Sequence, residues 1–514
     1  MILALVLFAL LIVGVPLFVV IGVAAAVAFG LYAGHGGVDG LVVLVVKLAG
    51  LTTKNVFLAI PFFIISGAIM SAGSIAARLV AVAEALVGGL RGGLAVAALV
   101  ASVIFAALSG SSPVTLIAIG GIMFPAMVRA GYRESFALGF VTTAGSLGCL
   151  VPPSIPMLVY AISVTGTSGV DVRELFLAGM GAALVVVLML AAYAVVRAGP
   201  VQTTEAFSWP RLEVALREGV WALALPVLIL GGIYGGLFTP TEASAVSVVY
   251  AVVVETLVHR SLSLRQLPDV VVKATTNMGG LLLVIGLSLA VNDFMVEAEV
   301  AEAALRQVRA LGLGPVGFMM VVNVFLVVTG MFMDSISAIV LFTPVIAPAA
   351  VALGIDPLHL GVVFIVNMEI GYLAPPIATN LFVAATVFKK PFGLVVRSVI
   401  PTLLILGAGL LLLTYVPTLT VGPVHALRGA SFFRPFAAAA PAPKTTPDPD
   451  PAMGPAKSEA DGAKNEVLTL EEMMRLMKAK RAAEAATEEA TPPEVAPAKG
   501  ADDPAIAPPA GASR

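Results

Sequence analysis

Among 514 residues there is one cysteine, Cys149. It leaves no partner for an intrachain disulfide and carries no information on redox compartment. Four histidines, at 35, 259, 359 and 425, are too scattered for one helix to build a metal site. Charge is also scarce, with Asp, Glu, Lys and Arg making up 12% of the chain and a formal net charge of −2. A nucleic-acid partner calls for a basic footprint, so this balance argues against one. A soluble domain needs a polar shell, and a chain 59% hydrophobic with mean hydropathy +1.04 cannot supply it. The remaining class is a polytopic membrane protein in the lipid bilayer. No nucleophile-and-base pair, zinc spacing or phosphate loop occurs, so nothing points to an enzyme or an organic cofactor. The first 30 residues lack a basic n-region and exceed a cleaved h-region, and they read as a retained anchor.

What the chain does contain is a block of 29 residues written twice, about 220 positions apart. Pro125–Pro153 and Pro348–Pro376 align without a gap and share eight identities, among them the closing Pro-Pro. Each block follows a Gly/Ser/Asp-containing break in an apolar run, Ser109–Pro113 in the first and Gly330–Ser335 in the second. Paired interruptions at matching places in two halves point to a secondary transporter with its binding site where the repeats meet.

A spanning helix needs about 20 apolar residues. The runs 55–73, 174–196, 219–238, 240–258, 275–295 and 394–415 meet that length, and 1–34 and 38–51 add one to three more. The runs 94–127 and 313–350 are instead broken in the middle. Their arms of roughly 15 residues are too short for a core of about 30 Å, so both read as re-entrant hairpins. A helix broken by Pro-Pro follows each, over 134–164 and 358–387. Two prolines in succession remove donors and expel the preceding residue from the α region, which forces an unwound stretch. The expected fold is therefore all-α and polytopic, an inverted repeat of two re-entrant hairpins and two Pro-Pro-broken helices. Its parts are N-terminal scaffold helices (1–73), repeat one (74–200), linking scaffold helices (201–295), repeat two with the last helix (296–428), and an Ala/Pro-rich tail (429–514). The tail cannot bury a core and is expected to be disordered. Within it, Thr469 with Glu472 forms a capping box, compatible with a short helix over 469–487.

Hairpins that return to their own side leave the in/out count unchanged. Thirteen basic residues then share one side: Arg78, Arg91, Arg129, Arg133, Arg197, Arg211, Arg217, Arg260, Arg265, Lys273, Lys389, Lys390 and Arg397. Arg173, Arg306 and Arg309, with Lys47 and Lys54 at most, lie opposite. The richer side is cytoplasmic by the positive-inside rule. Hairpin one then enters from the cytoplasm and hairpin two from outside, which is inverted symmetry reached without the sequence repeat.

Helix ends at a break offer free carbonyls to a small cation and free N–H groups to a carboxylate. The expected Na⁺ ligands in the first half are Ser109, Gly110 and Ser111 at the hairpin tip, facing Gly148, Val151 and Pro152. In the second half they are Gly330 and Asp334, facing Gly371, Pro375 and Thr379. Ser112, Pro153, Ser154, Ser335 and Asn380 are expected to line the substrate cavity. Asp334 stands in apolar sequence, where a carboxylate costs roughly 2.5–3.5 kcal/mol, so an ion-linked role is favoured over a helix cap. Glu369 is similarly placed. Glu242, after Thr239-Pro240-Thr241, reads as a cap.

The segments SGSSPVTLIAIG, LVPPSIP, GGLFTPTEASAV, GMFMDSISAIVLFTPVIAP and NMEIGYLAPPIATNLFVA resemble motifs of the large membrane subunit of TRAP (tripartite ATP-independent periplasmic) transporters. The resemblance runs in order from residue 1 to about 425. It implies Na⁺-driven uptake of a carboxylate through the bacterial inner membrane, delivered by a periplasmic substrate-binding protein. It implies a separate small four-helix membrane subunit too, because the extra segment of fused versions does not precede Met1, and an elevator motion of the hairpin-bearing repeats. A single-component dicarboxylate or citrate carrier of related architecture is the alternative.

Overall fold

The computed structural model describes residues 15, 17–29, 45, 55–164, 170–197, 207–376, 378–433 and 436. The expected span at 38–51 lies almost wholly outside them, and the tail helix at 469–487 lies wholly outside. Among the described residues the fold is all helix, with no strand.

The first helices are α1 (Leu17–Val27), α2 (Ala59–Ala72) and α3 (Ile75–Val87). Hairpin one follows as α4 (Gly93–Ser109) and α5 (Ser112–Arg129), and the first broken helix as α6 (Glu134–Ser146) and α7 (Ile155–Ser163). The middle of the chain holds α8 (Val172–Arg197), α9 (Trp209–Tyr234), α10 (Pro240–Val258), α11 (Leu267–Glu297) and α12 (Val300–Ala310). Hairpin two is α13 (Pro315–Gly330) and α14 (Ser335–Ala352), and the second broken helix is α15 (Pro357–Gly371) and α16 (Thr379–Val387). The last are α17 (Phe392–Tyr415) and α18 (Thr418–Leu427). Seven described helices are long and apolar enough to cross a membrane, or eight if α2 and α3, bent by 71°, count as one.

The differences from the sequence expectation have local causes. Helix α9 starts ten residues before the expected 219, because Pro210 sits in its first turn, where a missing N–H costs nothing. Its first turns carry Arg211, Glu213, Arg217 and Glu218, which kept them out of an apolar window. The same proline logic lets Ser112 and Pro113 open α5, so the first break narrows to Gly110 and Ser111. Helices α5 and α14 reach 18 residues each, longer than the 15 expected of a hairpin arm. The folded part also runs past 429. Phe432 lies against Gly422, and the Phe436 ring meets Tyr415 and His359 at centroid separations of 5.5 and 6.5 Å.

Packing sets the two halves side by side. Helix α6 lies along α17, where the Thr143 and Thr402 hydroxyls bond at 2.6 Å. Helix α13 lies along α15, where Asn367 Nδ2 donates to Asn323 Oδ1 (2.9 Å) and Asn323 Nδ2 to Thr414 Oγ1 (3.0 Å). Lipid supplies no hydrophobic drive between helices, so small residues and buried polar pairs of this kind hold them together. Helix α2 packs on α10 and α11, and α7 of the first half packs on α14 of the second.

Candidate functional site

Each hairpin tip lies against the Pro-Pro break of its own half. At tip one, Gly110 takes a left-handed φ of +57°, which ends α4 and turns the chain into α5. A Cβ there would begin 3.0 Å from the Pro153 carbonyl oxygen, and one on Gly148 would begin 2.6 Å from the Ser111 carbonyl oxygen. Both glycines are required by this approach of backbone to backbone. In the second half a Cβ on Gly371 would fall 2.5 Å from Gly330 Cα. Both breaks contain a cis Pro-Pro bond, 152–153 and 375–376.

The structure brings most of the expected residues of the first half together. Ser109 Oγ and Thr115 Oγ1 bond at 2.9 Å, and Thr115 Oγ1 donates to the Ser111 carbonyl at 2.9 Å. Ser109, Ser112, Val151, Pro152 and Pro153 are buried. No backbone N–H among the described residues donates to the carbonyls of Val151 or Pro152. Those two carbonyls and the hydroxyls of Ser109 and Thr115 are oxygen donors that the break and the tip packed on it contribute. Such a set suits a hard cation carrying little charge.

Other expected residues are placed differently. Asp334 is the N-cap of α14, its Oδ2 accepting from Ser337 N at 3.0 Å and its Oδ1 from Ser337 Oγ at 2.5 Å. The capping alternative is thus the geometry present, and an ion would use lone pairs the cap leaves over. Pro375 and Thr379 are exposed, whereas their first-half counterparts are buried. Ser154 caps α7, accepting from Met157 N at 3.4 Å and donating to the Cys149 carbonyl. Glu242 forms the expected capping box with Thr239.

The two halves meet through Asn380, whose Nδ2 donates to Ser112 Oγ at 2.5 Å. Asn380 Oδ1 and Ser335 Oγ are buried without a hydrogen-bond partner, as is Glu369 Oε1. Other unpaired buried polar atoms, among them Ser66 Oγ, Ser288 Oγ and Thr343 Oγ1, lie away from the tips and breaks. Two contributors escaped the sequence reading. Tyr372 OH accepts from Ser335 N at 2.8 Å and ties tip two to its break. Gly67 of α2 lets that helix approach tip one, since a Cβ there would start 3.0 Å from Ser109 Cα. Neither carries a local signal, because each matters through a partner 37 or more residues away.

Comparison with known proteins agrees with this architecture. The family described as "Tripartite ATP-independent periplasmic transporter, DctM component" matches residues 4–419. The C4-dicarboxylate TRAP transporter large permease protein DctM of Pseudomonas aeruginosa is 41% identical over 385 residues, covering 74% of this chain and 89% of that protein. The ectoine/5-hydroxyectoine TRAP transporter large permease protein UehC of Ruegeria pomeroyi is 36% identical over 361 residues, covering 70% and 83%. Among solved structures, the Alcanivorax borkumensis YdaH transporter superposes with a TM-score of 0.52 at 14% identity, over 82% of this chain and 99% of that one. That last likeness concerns fold alone. The chain is a multi-pass membrane protein, a transporter subunit and not an enzyme, and it belongs to the DctM family of TRAP large permease proteins.

Proposed function

We propose that this permease couples an inward Na⁺ gradient to uptake of an organic acid across the bacterial inner membrane. A periplasmic binding protein delivers the acid, and a small four-helix membrane subunit completes the complex. The observation that carries the reading is the buried backbone-to-backbone contact of tip one with its break, Gly110 against Pro153 and Gly148 against Ser111, with Ser109, Ser112, Val151 and Pro152 all buried there. In this reading Ser109, Gly110, Ser111, Gly148, Val151 and Pro152 hold one cation. Gly330, Asp334, Gly371, Pro375 and Thr379 hold a second. The unpaired atoms of Ser335 and Asn380, with Ser112, Pro153 and Ser154 nearby, face the carboxylate.

Matching geometry supports an inverted repeat. Both hairpins break between two arms of 16 to 18 residues, and both broken helices restart with a nine-residue piece. Ser146 and Glu369, equivalent positions in the repeated block, lie beside each other. In this reading the hairpins are re-entrant, and the two repeats move as one body against α2, α9, α10 and α11. The thirteen-to-five split of basic residues places the Arg129–Arg133 and Lys389–Lys390 ends in the cytoplasm.

The substrate is an organic carboxylate, and relatives whose names specify a C4-dicarboxylate or ectoine show how varied the cargo of similar chains is. The test is uptake by proteoliposomes holding the complex and its binding protein, offered radiolabelled succinate, gluconate and ectoine in turn. Uptake of one of them requires external sodium. Equal uptake in sodium-free medium, or a need for ATP, refutes the coupling, and uptake without the binding protein favours the single-component alternative.

A further inference from the structure

A second polar constellation lies outside the hairpin tips, at the junction of α2 and α3. Its centre is Glu255, written into the apolar run AVVVETLV and wholly shielded from solvent. A carboxylate so placed is costly unless its oxygens are satisfied. Here they are satisfied by a different part of the chain. Ser74 N donates to Oε1 and Oε2 at 2.9 and 3.0 Å, Ile75 N to Oε1 at 2.9 Å and Ser74 Oγ to Oε2 at 3.2 Å, and Ser261 Oγ adds a further bond. These N–H groups open α3, whose own N-cap Ser74 makes no side-chain cap bond to its helix. A helix N-terminus favours an anion through its free donors and its dipole. Helix α3 takes that anion from α10, about 180 residues along the chain.

Three further features fit the carboxylate into this place. Glu255 lies in a π-helical turn at the end of α10, which turns it away from the register of the preceding α-helix. Gly73 leaves room for it, since a Cβ there would fall 2.1 Å from Glu255 Cδ. Around Ser74 stand His259, with Nδ1 at 3.2 Å from its hydroxyl, and Arg78, whose Nε donates to the same hydroxyl at 3.4 Å and whose guanidinium also donates to the Glu218 carbonyl of α9. The bend of 71° between α2 and α3 is therefore held from α10 and from α9. Along its length α3 packs on α4, the first arm of hairpin one.

We propose that Glu255 is a positioning residue for transport. It pins the elbow between α2 and α3 to α10, so that α3 holds hairpin one at a set angle to the helices it works against. The proposal rests on the two-body reading given above. A carboxylate that merely capped α3 would do the same work from any neighbouring position, and this supplies the discriminating variant. Ser74→Asp combined with Glu255→Gln puts an N-cap carboxylate on α3 itself, where Asp caps well, and removes the bond to α10.

Four forms of the complex are compared in proteoliposomes: wild type, Glu255→Gln, Gly73→Ala (which evicts the carboxylate without deleting it), and the double variant. The cargo is whichever of succinate, gluconate or ectoine the wild type carries. Maximal uptake is measured with the half-saturating cargo and sodium concentrations, and melting temperature with each. Both single variants are expected to lose maximal uptake several-fold with half-saturation values unchanged, and to melt lower. The double variant is expected to regain the wild-type melting temperature while uptake stays low. Recovery of uptake together with melting temperature overturns the proposal, because capping alone then suffices. Wild-type uptake in both single variants overturns it too, as does a double variant that cannot fold, since Glu255 then serves the fold alone. Sodium-independent uptake by the wild type would sink the coupling reading and leave this comparison standing, because it is made on maximal rates whatever drives them.

Discussion

Asp334 and Glu242 pose one question at the residue scale, since each is a carboxylate set in apolar sequence and each could serve an ion or a helix end. Both are helix caps by geometry, but their surroundings differ. Glu242 is exposed and closes a capping box with Thr239, whereas Asp334 stands at a hairpin tip one residue before the buried Ser335. Asn is as good an N-cap as Asp, so Asp334→Asn keeps the start of α14 and removes only the charge. A rise in the sodium concentration for half-maximal uptake, at an unchanged melting temperature, is the expected result. Ser111→Ala removes one hydroxyl oxygen, for which about 1 kcal/mol, or several-fold in apparent sodium affinity, is the expected scale. Glu242→Ala should do the reverse, lowering the melting temperature and leaving sodium dependence alone. Sodium titrations of all three separate the roles, and an Asp334→Asn curve that overlays the wild type would make Asp334 a cap and nothing more.

At the scale of elements, the breaks were legible and the elbows were not. Pro152-Pro153, Pro375-Pro376 and Gly110 interrupt helices for reasons internal to each residue, and the interruptions fall where the sequence puts them. Helices α3 and α12 are too short and too polar for an apolar-run criterion, and only their packing on α4 and α14 gives them a place. The close approach of tip to break makes a sharp prediction. In Gly371→Ala the new methyl meets Gly330 backbone rather than a side chain able to swing aside. Overpacking of that kind costs roughly 1–3 kcal/mol, so a lower melting temperature and a loss of uptake are expected. Gly121→Ala on α5 has nothing within 4 Å of the added methyl. It should be neutral or stabilising by up to about 1 kcal/mol, the difference in helix propensity. Equal melting temperatures for the two variants would show that tip two and its break are not in contact.

For the whole molecule, the boundary of the working part can be tested by truncation. The change of composition puts it near residue 429, but Phe432 and Phe436 pack back onto Gly422, Tyr415 and His359. Ending the chain after Pro443 should leave membrane insertion and uptake unchanged. Ending it after Ala430 should lower the melting temperature, because the contacts of the largely exposed Phe432 with Gly422 and of the half-buried Phe436 with Tyr415 and His359 go with it. Loss of uptake at normal insertion in the Pro443 form would instead assign a docking role to the residues around Leu470–Met477.

Composition and pattern alone determined the membrane class, the all-helical fold and the places of the four interruptions. Each of these follows from local chemistry: apolar length, the missing proline donor and the conformational range of glycine. Only the tertiary structure decided that Asp334 and Ser154 cap helices, that Asn380 of one half reaches Ser112 of the other, and that Glu255 closes the end of a helix 180 residues away. A cap and its helix, or a donor and its acceptor, are defined by a pair of positions in space, and a sequence with one member of the pair in view does not name the other.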